Sequence, residues 1–268
     1  MTDPGLKGKW ALILGASSGF GGATAARLAR EGMNVFGVHL DRKATLPAAE
    51  RVQEEIREAG GEAVFFNTNA AGHEERAQVV AQMKNHLGAG APGAVRVLLH
   101  SLAFGTLKPF IAGDLSGALT PKQLEMTLDV MANSLVYWVQ DLVRGGLMGE
   151  GGRIFAMTSA GGHRVWPTYG AVSAAKAALE SHIRQLAAEL APRGIAANSV
   201  QAGVTDTPAL RKIPGAEEMI KTARRMNPHG RLTTPEQVAD AIACFSLPGA
   251  RWMTGNVIRV DGGEDIAG

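Results

Sequence analysis

Cysteine is almost missing from this chain. Cys244 is the only one in 268 residues, which excludes an internal disulfide framework and a multi-cysteine metal centre. In "AIACFSL" it reads as a small buried hydrophobe. Tyrosine is nearly as scarce: only Tyr137 and Tyr169 can supply a phenol. Charge of either sign is modest, 19% of residues with a formal net of +2, too weak a field to argue for nucleic acid. No apolar run approaches the roughly 20 residues that span a bilayer. The opening "MTDPGLKGKW" lacks the basic-then-apolar order of a signal peptide, and the expectation is a cytoplasmic protein. Linkers, repeats and low-complexity tracts are also lacking, so residues 1–268 read as one domain. No metal site is expected.

Short apolar runs alternating with helical patterns fill the chain. "WALILGA" (10–16) reads as a buried strand and "GGATAARLAREG" (21–32) as a helix. They are followed by strand "NVFGVHL" (34–40) and helix "LPAAERVQEEIREAG" (46–60). The alternation continues through a long helix near 121–147 to strand "GNVIRV", broken by a less regular stretch at 203–234. Near-continuous apolar strands alternating with helices predict an α/β fold, a parallel sheet covered by helices on both faces.

The first strand runs straight into "GASSGFGGATAA". Gly15, Gly19 and Gly21 lie in the turn before a helix, where missing side chains let the backbone approach a pyrophosphate at the positive helix N-terminus. The spacing G-x-x-x-G-x-G departs from G-x-G-x-x-G. A tight turn that binds nothing is the bland alternative.

This glycine spacing, Tyr169 and Lys176 on a late helix, and the closing "RVDGG" resemble the short-chain dehydrogenase/reductase family over essentially the whole chain. The resemblance implies a Rossmann-type doubly wound parallel sheet and a nicotinamide cofactor held by Gly15, Ser17, Ser18, Gly19, Phe20 and Gly21, with Asn69 and Ala70 near the adenine. Ser101, Lys176 and the run Gly203, Val204, Thr205 and Thr207 complete the implied cofactor site. Members that use NAD carry an acidic residue at the end of the second strand. Here that place falls on His39, followed by Asp41, Arg42 and Lys43. Cations attract a 2′-phosphate and a carboxylate repels it. His39 with the pair Arg42 and Lys43 therefore points to NADPH, with Asp41 the counter-indication and NADH the alternative; a solvated loop is the bland reading of Arg42 and Lys43.

Three departures from the common family pattern agree with one another. "HSLAFG" (100–105) replaces the usual N-N-A-G, Met131 falls at the usual asparagine, and the tyrosine stands seven residues before the lysine instead of four. All three, with "QAGVTDTPAL" (201–210), resemble bacterial enoyl-acyl-carrier-protein reductases of the tyrosine-x6-lysine type; the tyrosine-lysine helix and "TDTPALRKIPG", taken alone, are most similar to the type three branch. At about 100° per residue, seven steps return to within about 20° of the starting direction. Tyr169 and Lys176 should then share a helix face, with Val172 in the common tyrosine place.

The implied reaction is reduction of a trans-2-enoyl thioester, as in fatty acid biosynthesis. Tyr169 would donate to the developing enolate; Lys176 would anchor the nicotinamide ribose and lower the phenol's pKa. Ser159 occupies the serine position of ketone-reducing members and keeps a carbonyl reductase reading open. A nucleotide-binding regulator without catalysis is the third reading. His163 and Trp166 read as pocket wall or structure. Arg211, Lys212, Lys221, Arg224, Arg225 and Arg231 form either a basic rim for an acidic acyl carrier or a solvated face. The resemblance also implies a homotetramer, and "AVSAAKAALESHIRQLAAEL" is rich in small residues suited to close packing.

Overall fold

The computed structural model describes residues 5–88, 91–114 and 116–267. Seven parallel strands form one sheet in the order β3-β2-β1-β4-β5-β6-β7. They are β1 (Trp10–Leu14), β2 (Asn34–His39), β3 (Ala63–Asn67), β4 (Val95–His100), β5 (Arg153–Ser159), β6 (Ala196–Ala202) and β7 (Val257–Val260). The order reverses between β1 and β4, and the carboxyl ends of strands at such a switch point open a ligand crevice.

Side chains alternate along β1, and each face feeds a different core. Trp10, Leu12 and Leu14 join the cluster that contains Trp138, Tyr169, Val172 and Leu179. Ala11 and Ile13 join the one containing Leu28, Val52, Ile56 and Val238. Helices α3 (His73–Leu87), α5 (Ser134–Arg144) and α6 (Gly170–Leu190) cover the first face; α1 (Gly19–Arg30), α2 (Leu46–Glu58) and α8 (Pro235–Ser246) cover the second. Among the described residues, no helix is long and apolar enough to cross a membrane.

Three sequence expectations are corrected here. The long helix near 121–147 runs without a gap over 121–144, but it is not uniformly α: α4 (Pro121–Leu128) passes through a π-helical turn at Asp129–Asn133 into α5. A π turn widens the backbone locally, a feature common where helices carry function. The irregular stretch 203–234 contains a helix, α7 (Ala216–Met226). Cys244 is exposed, because α8 buries the face formed by Val238, Ala239, Ile242, Ala243 and Ser246, and position 244 lies off it.

Candidate active site

The glycine turn is built by contacts that no other residue permits. A Cβ on Gly15, whose φ is +89°, would stand 2.5 Å from the Ser101 carbonyl oxygen, and one on Gly21 would stand 2.0 Å from the Gly15 carbonyl oxygen. The turn between β1 and α1 is thereby pressed against the end of β4. Ser18, the N-cap of α1, makes no side-chain cap, so the first N–H groups of the helix keep their capacity for an anion. Gly19, at φ +54°, faces Thr207, whose Cγ2 would lie 3.7 Å from an added Cβ. The 203–207 run thus meets the glycine turn, as expected. This cradle fits a nucleotide pyrophosphate: it is glycine-lined and has donors to spare. Phe20 packs against the second core cluster.

At the end of β2, His39 is buried and its Nδ1 is 2.8 Å from Asp41 Oδ2. Burial alone would raise the Asp41 carboxyl, but hydrogen bonds from Thr45, Ser17 and His39 hold it below its usual value. The Asp41 carboxylate is therefore charged and already engaged, whereas Arg42 and Lys43 are exposed. Asn69 uses its Oδ1 to accept the Ala71 N–H at 3.1 Å, and the Ala70 carbonyl accepts the Trp138 indole N–H at 2.8 Å. Asn69 remains exposed beside that anchor.

Tyr169 is the N-cap of α6 and not a residue of its first turn. Its carbonyl accepts the Ser173 N–H at 2.8 Å, so the helix already begins on it. Immediately before it, Thr168 sits at φ +63°, a left-handed conformation that a β-branched residue adopts at a cost of about 1–3 kcal/mol. Trp166 meets the Tyr169 ring edge-to-face, with centroids 5.6 Å apart. A Cβ on Gly161 would be 2.4 Å from Tyr169 Cε1, so only glycine lets that loop close over the ring. Val172 fills the common tyrosine place and is buried. With Met131 Sδ and Thr127 it packs around Gly105.

Lys176 is buried and donates from Nζ to the Met157 carbonyl at 2.7 Å. Burial depresses the ammonium to about 8, against a raising influence from Glu180. The Tyr169 phenol is pushed above its usual value by burial, with a partial offset from Ser159. Lys176 is not among the groups acting on it, which corrects the expectation that this lysine lowers the phenol's pKa: its head is turned to β5. The Ser159 hydroxyl is buried beside the phenol, yet no hydrogen bond of regular geometry engages its oxygen. At neutral pH Tyr169 is therefore a protonated donor.

A residue that the sequence reading passed over sits at the end of β4. His100 is buried, and its Nε2 lies 2.8 Å from Ser134 Oγ. The Ser134 hydroxyl donates to the Val130 carbonyl at 2.8 Å, so His100 Nε2 supplies the proton in the first bond. Burial, and then the charge of Lys176, lower His100 to about 3. The pair ties β4 to the π turn that carries Met131. In place of an asparagine, the site has a thioether and a neutral imidazole.

The model of the enoyl-(acyl carrier protein) reductase family matches residues 15–264. The chain belongs to that family. It is a branch of the short-chain dehydrogenase/reductases, the oxidoreductases that its structural neighbours represent. A 1-cyclohexenylcarbonyl-CoA reductase of Streptomyces collinus is 32% identical over 95% of this chain and 86% of its own. The crystal structure of an enoyl-acyl-carrier-protein reductase (NADH) from Aquifex aeolicus superimposes with a TM-score of 0.83, at 27% identity over 98% of both chains. A Burkholderia cenocepacia short-chain dehydrogenase in complex with NADP gives 0.81, at 28% identity over 97% of this chain and 99% of that one.

Within this enoyl reductase frame, several other expected groups are held by neighbours. The Val204 N–H donates to Glu264, at 3.1 and 3.2 Å. The Thr205 hydroxyl donates to the Gly203 carbonyl at 3.0 Å, and Thr207 Oγ1 accepts the Leu210 N–H at 3.2 Å. His163 lies 3.1 Å from Asp265, a carboxylate shared with Arg164, Arg259 and Gln201. His163 is thus structural, and Trp166 is wall to Tyr169. The six cations of 211–231 are all exposed, and Arg211 pairs with Asp206.

Proposed function

We propose that the protein reduces trans-2-enoyl thioesters with NADPH, as an enoyl-acyl-carrier-protein reductase of fatty acid biosynthesis does. The observation that carries this reading is the placement of the phenol. Tyr169 stands one turn toward the start of α6 relative to the common tyrosine place, which Val172 fills. A donor set back by a turn suits a substrate whose oxygen lies two carbons from the hydride acceptor.

A reduced nicotinamide, when bound, supplies the hydride to the β-carbon. The remaining work falls to side chains of this chain. The Tyr169 O–H donates to the thioester oxygen as negative charge develops there. Lys176, once its Nζ turns from Met157, anchors the nicotinamide ribose. Gly15, Gly19 and Gly21 admit the pyrophosphate. The test is loss of nicotinamide fluorescence: crotonyl thioester is consumed faster than acetoacetyl thioester. The reverse order would favour the carbonyl reductase reading, which rests on the Ser159 hydroxyl buried beside the phenol. Tight NADPH binding with turnover of neither would favour the regulator.

Preference for NADPH rests on Arg42 and Lys43 being exposed while Asp41 is engaged by its own neighbours. One charge-assisted contact to the 2′-phosphate contributes about 1.5–3 kcal/mol, about ten- to a hundredfold in affinity. Arg42→Ala therefore weakens NADPH by that factor and NADH little. Equal losses, or a wild-type preference for NADH, would overturn the assignment. We propose a homotetramer as well. Ala174, Ala177, Ser181 and Ala188 form an exposed small-residue side of α6, and β7 is an edge strand with Val257 exposed. Light scattering that reports a monomer at micromolar concentration would refute it.

A further inference from the structure

Three consecutive residues at the end of β5 each meet a different group of the α6 region. The Met157 carbonyl accepts Lys176 Nζ, the Thr158 hydroxyl donates to Glu180 Oε1 at 2.6 Å, and Ser159 lies beside Tyr169. Of these groups Glu180 has no place in the chemistry described so far. It is partly buried, and it follows Lys176 by four residues, so the two side chains rise from one helix face, one turn apart. Thr158 is itself buried and fixes the carboxylate through that hydrogen bond. The loop after β5 closes over both: a Cβ on Gly162 would stand 3.2 Å from Glu180 Oε1 and 3.5 Å from Lys176 Cβ.

We propose that Glu180 is a positioning residue for Lys176, a counter-charge locked by Thr158 that keeps the buried ammonium protonated while its Nζ remains free to leave Met157 for the cofactor. A carboxylate placed against Nζ itself would compete with a ribose for the same protons. One held a turn away by a threonine stabilises the charge through space without occupying the donors. The inference rests on Lys176 acting as the cofactor anchor.

The electrostatic surroundings agree in sign. Among the described residues, the titratable groups whose charge interacts with that of Lys176 are His100 from β4 and Glu180, and Tyr169 precedes it by seven residues at the start of α6. His100 is neutral, at about 3, and the phenol's pKa is raised, so neither offsets the burial that lowers Lys176 to about 8. Glu180 is the raising influence. The lysine's charge is present below its folded pKa and is lost as pH rises through it. Removing Glu180 moves that loss to lower pH.

The experiment measures NADPH dissociation constants by fluorescence from pH 6.5 to 9.5 for wild type, Lys176→Met, Glu180→Gln and Thr158→Val. In wild type, affinity should fall with a midpoint near pH 8, and Lys176→Met should abolish that limb. Glu180→Gln, which keeps an acceptor for Thr158, should reach the wild-type plateau at the acid end and lose affinity about one pH unit earlier. Thr158→Val should shift the limb the same way by less. A Glu180→Gln limb that coincides with wild type, while Lys176→Met is flat, overturns the role of Glu180 and leaves the lysine anchor standing. If Lys176→Met retains the wild-type limb, the anchor itself is wrong and the inference falls with it. Should Glu180→Gln not fold, Glu180→Asp replaces it, with a shorter reach to Thr158 and an unmoved limb as the opposing result.

Discussion

Tyr169→Phe should lower turnover of an enoyl thioester by about 10²–10⁴ while leaving NADPH affinity close to wild type. The substitution removes one oxygen from a ring whose other contacts persist. Phenylalanine keeps the edge-to-face contact with Trp166 and the fit beneath Gly161. Because the hydroxyl acts chiefly as charge develops on the substrate oxygen, its loss appears in kcat and not in cofactor binding. The raised phenol pKa adds a second check. Burial raises the phenol above its ordinary value, so a loss of cofactor affinity between pH 7 and 9 does not come from Tyr169. The double variant Tyr169→Phe/Val172→Tyr returns the phenol to the common place. There it must enter the packed corner around Gly105, where Val172 already stands against Met131 and Thr127. That variant should remain a poor enoyl reductase. A gain of ketone reduction in it, or a Tyr169→Phe enzyme with wild-type turnover, would sink the assignment.

The sheet and most of its helices were legible because burial and periodicity are local signals. The residues of β1 are buried and apolar without a break, and the glycine turn announced itself by spacing. What escaped was decided by tertiary contact. The π turn at Asp129–Asn133 leaves no mark in the hydrophobic pattern, since Met131 and Ala132 remain buried through it. Its partner His100 lay in a segment noted for family resemblance, but only the fold puts the imidazole against Ser134, 34 residues on. The apolar run around Cys244 does not say which of its positions are buried: helical phase decides each one, and 244 falls off the buried face of α8. Thr168 gave no signal: a β-branched residue is the last expected at positive φ, and the strain there is visible only as a backbone angle. Glu180 had a readable clue, its spacing of four from Lys176, but the anchor that gives the clue meaning is Thr158 on a different element.

Gly21→Ala should abolish measurable binding of NADPH and NADH alike, a loss of at least about a hundredfold, and lower the melting temperature. The added methyl would meet the Gly15 carbonyl oxygen at 2.0 Å and its carbon at 2.9 Å. Neither is the end of a flexible side chain. Gly15 cannot retreat, since its own α-carbon is held close to the Ser101 carbonyl at φ +89°. Relief therefore requires the start of α1 to move away from β1, and the uncapped N–H groups beyond Ser18 move with it. Overpacking of this kind costs about 1–3 kcal/mol, or about 2–4 °C per kcal/mol in a chain somewhat smaller than this one. The pyrophosphate is common to both cofactors, so the loss should not discriminate between them, in contrast to Arg42→Ala. Gly22→Ala is the internal control. It lies on the same helix, but its nearest obstacle is Val52 Cγ2 at 3.1 Å, with the Ala16 carbonyl oxygen next at 3.4 Å. A side chain can shift by a few tenths of an ångström where a pinned carbonyl cannot, so Gly22→Ala should bind both cofactors with a much smaller penalty. If Gly21→Ala bound NADPH as wild type does, the glycine turn would not be the pyrophosphate site, and the cofactor would have to lie elsewhere along the switch point between β1 and β4.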